Sequence, residues 1–158
     1  MNILLLGDIM GPSGRKAVIE KLPGLIKEKK IDFVIVNGEN AGDLGVGITK
    51  KNFEEFVKAG ADVITTGNHV WDEKEVIDFI STEKRLLRPQ NLTQGSPGNG
   101  FGIFTSKNKK KVAVINLMGN IFMKKSEDVF KEAKKFIQNV KLKKDADFIV
   151  VDFHGEIT

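Results

Sequence analysis

Five short runs of the chain are apolar almost throughout: Asn2–Leu6, Ile31–Val36, Asp62–Thr66, Lys111–Leu117 and Phe148–Phe153. Runs this short, with no polar alternation, suit strands covered on both faces, as in a largely parallel sheet. Between the first of them, amphipathic segments at Ser13–Lys29, Thr49–Ala59 and Asp72–Ile80 predict helices. The resulting order of strand, helix, strand, helix predicts right-handed βαβ crossovers and an α/β fold with helices flanking the sheet. Thr49 is placed to cap the second helix and Gly60 to stop it, while Pro23, inside the first helical pattern, is expected to kink or divide that helix.

The signals change between Leu86 and Lys111. Pro89, Pro97 and the glycines at 95, 98, 100 and 102 mark a loop. Phe101–Thr105 and Val112–Ile115 then flank Ser106–Lys111 as a hairpin, so the sheet is expected to become mixed there. A charged helix from about Ser126 to Val140 returns the chain to its last strand. No repeat or low-complexity linker divides the run, and 158 residues is a single-domain length, so one domain over residues 1–158 is expected.

Composition narrows the classes. With 41% hydrophobic and 29% charged residues the chain can bury one core and solvate its surface, and no apolar run approaches the ~20 residues that cross a bilayer. The first residues carry no basic leader ahead of Ile3–Leu6, which argues against a signal peptide and for a cytoplasmic address. Absence of cysteine excludes a disulfide framework and a thiolate cage, so any metal must be held by oxygen and imidazole. The net charge of +4 is uneven: residues 107–144 hold twelve lysines against three acidic residues, and the remainder is acidic.

Ligands in open α/β sheets bind beyond the carboxyl ends of the strands. There the sequence sets Gly7-Asp8 after the first strand, Gly38-Glu39-Asn40 after the second, Gly67-Asn68-His69 after the third and His154-Gly155 after the last. Each has an ordinary explanation. Asp8 can cap a helix, Glu39 and Asn40 can satisfy loop amides, Asn68 fits a turn, and an isolated histidine is usually structural. Yet both histidines of the protein fall in equivalent places beside these carboxylates and amides, which favours one shared site. Its chemistry suits two divalent ions about 3.5–4 Å apart. Glu39 is the natural bridge, Asp8 the second anionic ligand of one ion, and Asn40, Asn68 and His154 neutral donors to the other, a mixture acceptable to iron, manganese or zinc. The glycines at 7, 38, 67 and 155 are expected to relax the backbone where it turns.

The stretches Gly7-Asp8-Ile9-Met10-Gly11, Val36–Gly42, Ile64–Asp72, Leu87-Arg88-Pro89-Gln90-Asn91 and Asp152-Phe153-His154-Gly155-Glu156 resemble the calcineurin-like metallophosphoesterases. They are most similar to the YmdB-like bacterial branch, regarded as 2′,3′-cyclic-nucleotide phosphodiesterases. The resemblance runs along the whole chain. It implies a metallophosphoesterase-like mixed sheet and a dinuclear centre in which Asp8 and Glu39 hold one metal, and Glu39, Asn40, Asn68 and His154 the other. It further implies that His69 donates a proton to the departing 2′ oxygen, so that a 2′,3′-cyclic nucleotide, or an RNA-derived phosphodiester of that kind, becomes a 3′-nucleotide. The bland alternative for His69 is a hydrogen bond that only orients a ligand. Met10 stands where the wider superfamily has the histidine of an Asp-x-His element, as the YmdB-like branch tolerates. A later His-x-His element of the family has no counterpart up to Thr158, so the chain reads foremost as the amino-terminal portion of a longer enzyme, and otherwise as a shortened homologue in which both metals lack an imidazole and metal affinity and turnover suffer. Apolar surface left bare by a missing part would invite association, homo-oligomers included.

Two other classes compete. Gly42-Asp43-Leu44-Gly45-Val46-Gly47 nearly mimics the phosphate loop of a non-catalytic nucleotide-binding module, but Ile48-Thr49-Lys50 follows where Lys and Ser or Thr are required. The lysine runs at 107–111 and 141–144 suit an RNA-binding module, or simply a solvated hairpin tip and helix end, since neither contains an aromatic side chain for base stacking. Trp71 and Phe101 read as gap-filling aromatics, and Arg88 and Asn91 either contact phosphate or brace the Pro89 loop.

Overall fold

The computed structural model describes residues 1–123 and 125–155. The α/β expectation holds, with the strands divided between two sheets. β1 (Ile3–Leu6), β2 (Phe33–Asn37), β3 (Val63–Thr65) and β4 (Leu86–Leu87) form a parallel sheet in that order. β5 (Phe101–Thr105), β6 (Lys111–Met118) and β7 (Phe148–His154) form the second, in which β5 runs antiparallel to β6 and β7 parallel to it. The glycine- and proline-rich stretch between β4 and β5 carries the chain from one sheet to the other, and β4 itself, at two residues, is too short for the apolar-run pattern to mark.

Each crossover of the first sheet steps the same way, so right-handed connections leave all their helices on one face. α1 (Gly11–Glu28), α2 (Lys50–Ala59) and α3 (Val76–Ile80) supply Val18, Leu22, Phe53, Phe56, Phe79 and Ile80 against Val34, Val36 and Ile64 there. The alternate residues Phe33, Ile35, Val63 and Leu87 face Val112 and Val114 of the second sheet. On that sheet's far side Ala113, Ile115 and Leu117 pack against Val129, Phe136 and Val140, the first two of which sit on α4 (Val129–Asn139) and the third just after it. Four layers result: helices, sheet, sheet, helix.

Local chemistry explains the boundaries. Thr49 Oγ1 accepts from Asn52 N–H and Asn52 Oδ1 from Thr49 N–H, a reciprocal cap, and Gly60 stops α2 in the left-handed region at φ 115°. α4 begins three residues later than its pattern because Asp128 caps it by accepting from Lys131 N–H. α1 runs unbroken through Pro23, contrary to the expected division. Pro23 and Ile19 lie on the exposed side, where water serves the carbonyl that proline leaves without a donor, while Val18 and Leu22 hold the other side in the core.

The outer face of β7 is only partly covered. Val151 and Phe153 remain 49% and 56% exposed, and Phe130 and Ile137 of α4 are also bare. No helix among the described residues is long and apolar enough to cross a membrane.

Candidate metal centre

The carboxyl ends of β1, β2, β3 and β7 meet at one edge of the two sheets, and every candidate side chain is brought there. Asn40 Nδ2 donates to Asp8 Oδ1 at 2.9 Å. Asp8 therefore does not cap α1, whose cap position is Met10 with no side-chain bond. His154, two residues after Asp152 on the same face of β7, sets Nε2 2.7 Å from Asn68 Oδ1 and Nδ1 2.8 Å from Glu39 Oε2. Glu39 Oε1 accepts the backbone N–H of His69 at 3.0 Å. The His69 ring in turn directs Nδ1 at Asp72 Oδ2, 2.6 Å away. An open cavity of about 310 Å³ is lined by Asp8, Asn37, Asn40, His69, Asp152 and His154, together with Gly7, Phe153 and Gly155.

Glu39 is the electrostatic centre. It has no exposed surface, and its Oε2 has no hydrogen-bond partner among the described residues, the approach of His154 Nδ1 not being aligned for one. Asn40 Oδ1 is likewise buried and unbonded. Such atoms carry a desolvation cost that a bound cation would relieve. With oxygens facing both of its ring nitrogens, His154 partly takes that cationic place. Burial opposes its charge most strongly, but the contact with Glu39 and the charges of Glu39, Asp8 and Asp152 together outweigh burial and raise its pKa above the ordinary histidine value. The donor set fits a metal only if the asparagine oxygens count. No group of three or more His, Asp or Glu side chains among the described residues is placed to hold one without them.

Glycine matters here for space and not for torsion. None of the glycines at 7, 38, 67 and 155 has a left-handed backbone, contrary to the expectation that they relax it. At Gly67, however, a Cβ would stand 2.0 Å from Glu39 Oε2, so only glycine lets the third loop pass over the buried carboxylate.

Three polar residues that the sequence reading did not single out support the site. Asn37 Oδ1 accepts Glu39 N–H at 3.1 Å while its Nδ2 donates to Asp152 Oδ2 at 3.2 Å, tying the loop after β2 to the opposite sheet. Asn116 Nδ2 also reaches Asp152, at 3.4 Å to its Oδ2. The signal was the break in two apolar strands: Asn37 ends β2, and Asp152 interrupts β7 directly across from Asn116. Arg88 and Asn91 prove to be braces. Arg88 donates to the carbonyls of Pro89, Ser96 and Pro97, and Asn91 to those of Met118 and Glu127. Phe101 packs on Phe136 and Trp71 on the helical core, as gap-fillers do. The loop at 42–47 closes on itself through Gly42 N–H to Gly47 O and Gly45 N–H to Gly42 O, which spends amides that a phosphate cradle would need. Glu156, part of the last motif, lies outside the described residues.

The fold is shared with known proteins. The family model described as YmdB-like protein matches residues 4–158. All of the chain aligns at 42% identity with 58% of the length of a Bacillus subtilis (strain 168) protein named 2′,3′-cyclic-nucleotide 2′-phosphodiesterase. It also aligns at 34% identity with 56% of a Mycoplasma genitalium protein named putative phosphatase/phosphodiesterase. The chain thus spans less than two thirds of these relatives. Among solved structures, a hypothetical protein from Thermus thermophilus superposes with TM-score 0.88 at 33% identity over 99% of this chain and 59% of that one. A phosphatase from Mycoplasma pneumoniae superposes with TM-score 0.85 at 35% identity over 98% of this chain and 55% of that one. On the matched residues, and on the fold that carries them, the chain belongs to the YmdB-like family.

Proposed function

We propose that this chain carries the metal-binding face of a phosphodiesterase that opens 2′,3′-cyclic nucleotides to 3′-nucleotides. The observation that supports it most is the buried Glu39 Oε2, without a hydrogen-bond partner among the described residues and 2.8 Å from His154 Nδ1, with Asn68 Oδ1 on the other ring nitrogen of His154 and Asn40 donating to Asp8 at the same edge. In this reading Asp8 and Glu39 serve one divalent ion, and Glu39, Asn40, Asn68 and His154 the second, with iron, manganese or zinc suited to the mixed donors. Such ions supply neutralisation of phosphate charge and a lowered pKa for water. His69 handles the proton. With Nδ1–H given to Asp72, the protonated ring carries its transferable proton on Nε2, the nitrogen left to face a departing ribose oxygen. Asn37 and Asp152 hold the Glu39 loop against the other sheet.

The test is hydrolysis of a 2′,3′-cyclic nucleotide with added manganese, for this chain and for Asp8→Ala, alongside manganese binding followed by calorimetry. Metal-dependent turnover that the substitution abolishes is expected. Equal turnover in both proteins refutes the assignment.

A further inference from the structure

At the end of the sheets opposite the candidate site, three exposed lysine-bearing segments that lie far apart in sequence come together: residues 29–30 before β2, 107–111 between β5 and the first residue of β6, and 141–144 before β7. Backbone bonds knit them. Asn2 Nδ2 donates to the carbonyls of Lys29 and Lys30, Lys107 N–H to Asp32 O, and Asp147 N–H to Lys111 O. The carboxylates among them turn inward to main-chain amides: Asp32 accepts from Asn2, Asp145 from Lys141 and Asp147 from Lys111. Some of the ammonium groups are engaged locally, Lys29 with Glu28, Lys110 with Asp147, Lys141 with Ile137 O and Lys143 with Asp147 O and the Phe148 ring, yet all of these lysines stay on the exposed surface.

The backbone gives an independent reason to regard this charge as more than solvation. Among the described residues four that are not glycine have a left-handed backbone, and three of them are Lys30 (φ 51°), Lys109 (φ 62°) and Lys143 (φ 69°), one in each turn. Glycine avoids the steric cost of that conformation and asparagine lessens it, yet lysine occupies all three positions. Neither Lys30 nor Lys109 has an ion-pair partner among the described residues, so their charge is free to act outward.

We propose that this end of the molecule binds the phosphodiester backbone of an RNA strand, holding it through lysine–phosphate contacts while the strand's terminus is free to reach the opposite edge. The choice of RNA over another polyphosphodiester rests on the proposed cyclic-nucleotide chemistry. The turns contain no aromatic side chain, and only Leu142 among residues 29–30, 107–111 and 141–144 is a large exposed apolar residue. Binding is therefore electrostatic and indifferent to sequence, and the apolar wedge that membrane docking needs is small.

The experiment measures binding of a labelled, unstructured oligouridylate by fluorescence anisotropy across a salt series. It compares the full chain, the triple variant Lys30→Asn/Lys109→Asn/Lys143→Asn, and a control in which Lys16, Lys51 and Lys134 become Gln. Asparagine tolerates the left-handed backbone, so the triple variant is expected to fold and to melt lower only by the loss of the Lys143 Nζ contacts with Asp147 O and the Phe148 ring. It is expected to lose about tenfold in affinity at low salt, with the slope of log K against log salt shallower by about two, at ~0.7 per lost contact on a single strand. Hydrolysis of a cyclic mononucleotide, followed in parallel, is expected to be unchanged, which separates failure here from failure of the catalytic reading. Equal loss in the control, unaltered binding by the triple variant, binding of oligothymidylate but not RNA, or binding to phosphatidylserine vesicles without RNA binding would each overturn the proposal.

Discussion

Glu39 and His154 face each other at 2.8 Å, Oε2 to Nδ1, although one follows the second strand of one sheet and the other ends the last strand of the other. The carboxylate is wholly buried, so in the proposed metal site this contact would set the response to cations. If the surrounding oxygens receive a divalent ion, manganese binds only the folded chain and raises its melting temperature, by the equivalent of ~2.7 kcal/mol at a hundredfold excess over Kd. Glu39→Gln keeps the shape and removes the charge, and should abolish that increment. Thermal melts with and without manganese measure it.

Gly67→Ala should disable the same site without touching a ligand. The added methyl would meet Glu39 Oε2 at 2.0 Å, so the carboxylate or the loop must move. Overpacking of this kind costs about 1–3 kcal/mol. Urea unfolding is expected to show that loss, and calorimetry a weakened manganese response.

Asn37→Ala should separate the two sheets' contributions. The substitution leaves Glu39 N–H and the Asp152 carboxylate without their shared partner. A cost of about 1–3 kcal/mol is expected from the groups left unpaired. Asn116→Ala should cost less, because its bonds to Asp152 are longer, both at 3.4 Å. Chemical denaturation of the two variants side by side gives the comparison.

Asp62 offers a pH test away from the candidate metal centre. Burial raises its pKa above the ordinary carboxylate value, against the opposing hydrogen bond from Val34 N–H and the nearby charges of Lys107 and Arg85. A carboxyl whose folded pKa is raised adds stability when protonated, and that stability is lost as pH rises through the raised value. Asp62→Asn keeps an acceptor for Val34 and should melt higher than the parent at neutral pH, by no more than about 1 kcal/mol because solvent screens a half-buried group. The advantage should vanish below the usual carboxylate range. Melting curves at several pH values decide it.

Much of this was legible in the chain. The apolar runs mark β1, β2, β3, β6 and β7, and the rule that sites gather at strand carboxyl ends points to Asp8, Glu39, Asn40, Asn68, His69 and His154 at one edge. The division into two sheets was not legible, because a strand covered on both faces looks the same whether its neighbour layer is a helix or another sheet. Pro23 misled for a related reason: its effect depends on whether the bond it deletes faces water, which only packing decides. The Asn37–Asp152 tie spans 115 residues and joins strands that are never paired, so no local pattern could announce it.

Asp8 stands near the beginning of the described chain and His154 near its end, and Asn37 spans the gap between their sheets. The pocket consequently cannot exist in a half-built molecule, since neither sheet owns enough of its walls. Closure of the span from Asp8 to His154 has to precede it, which makes its assembly a late and non-local event in folding. A cation bound only by the finished pocket would act as a proofreader, retaining molecules whose halves have docked and ignoring those caught on the way.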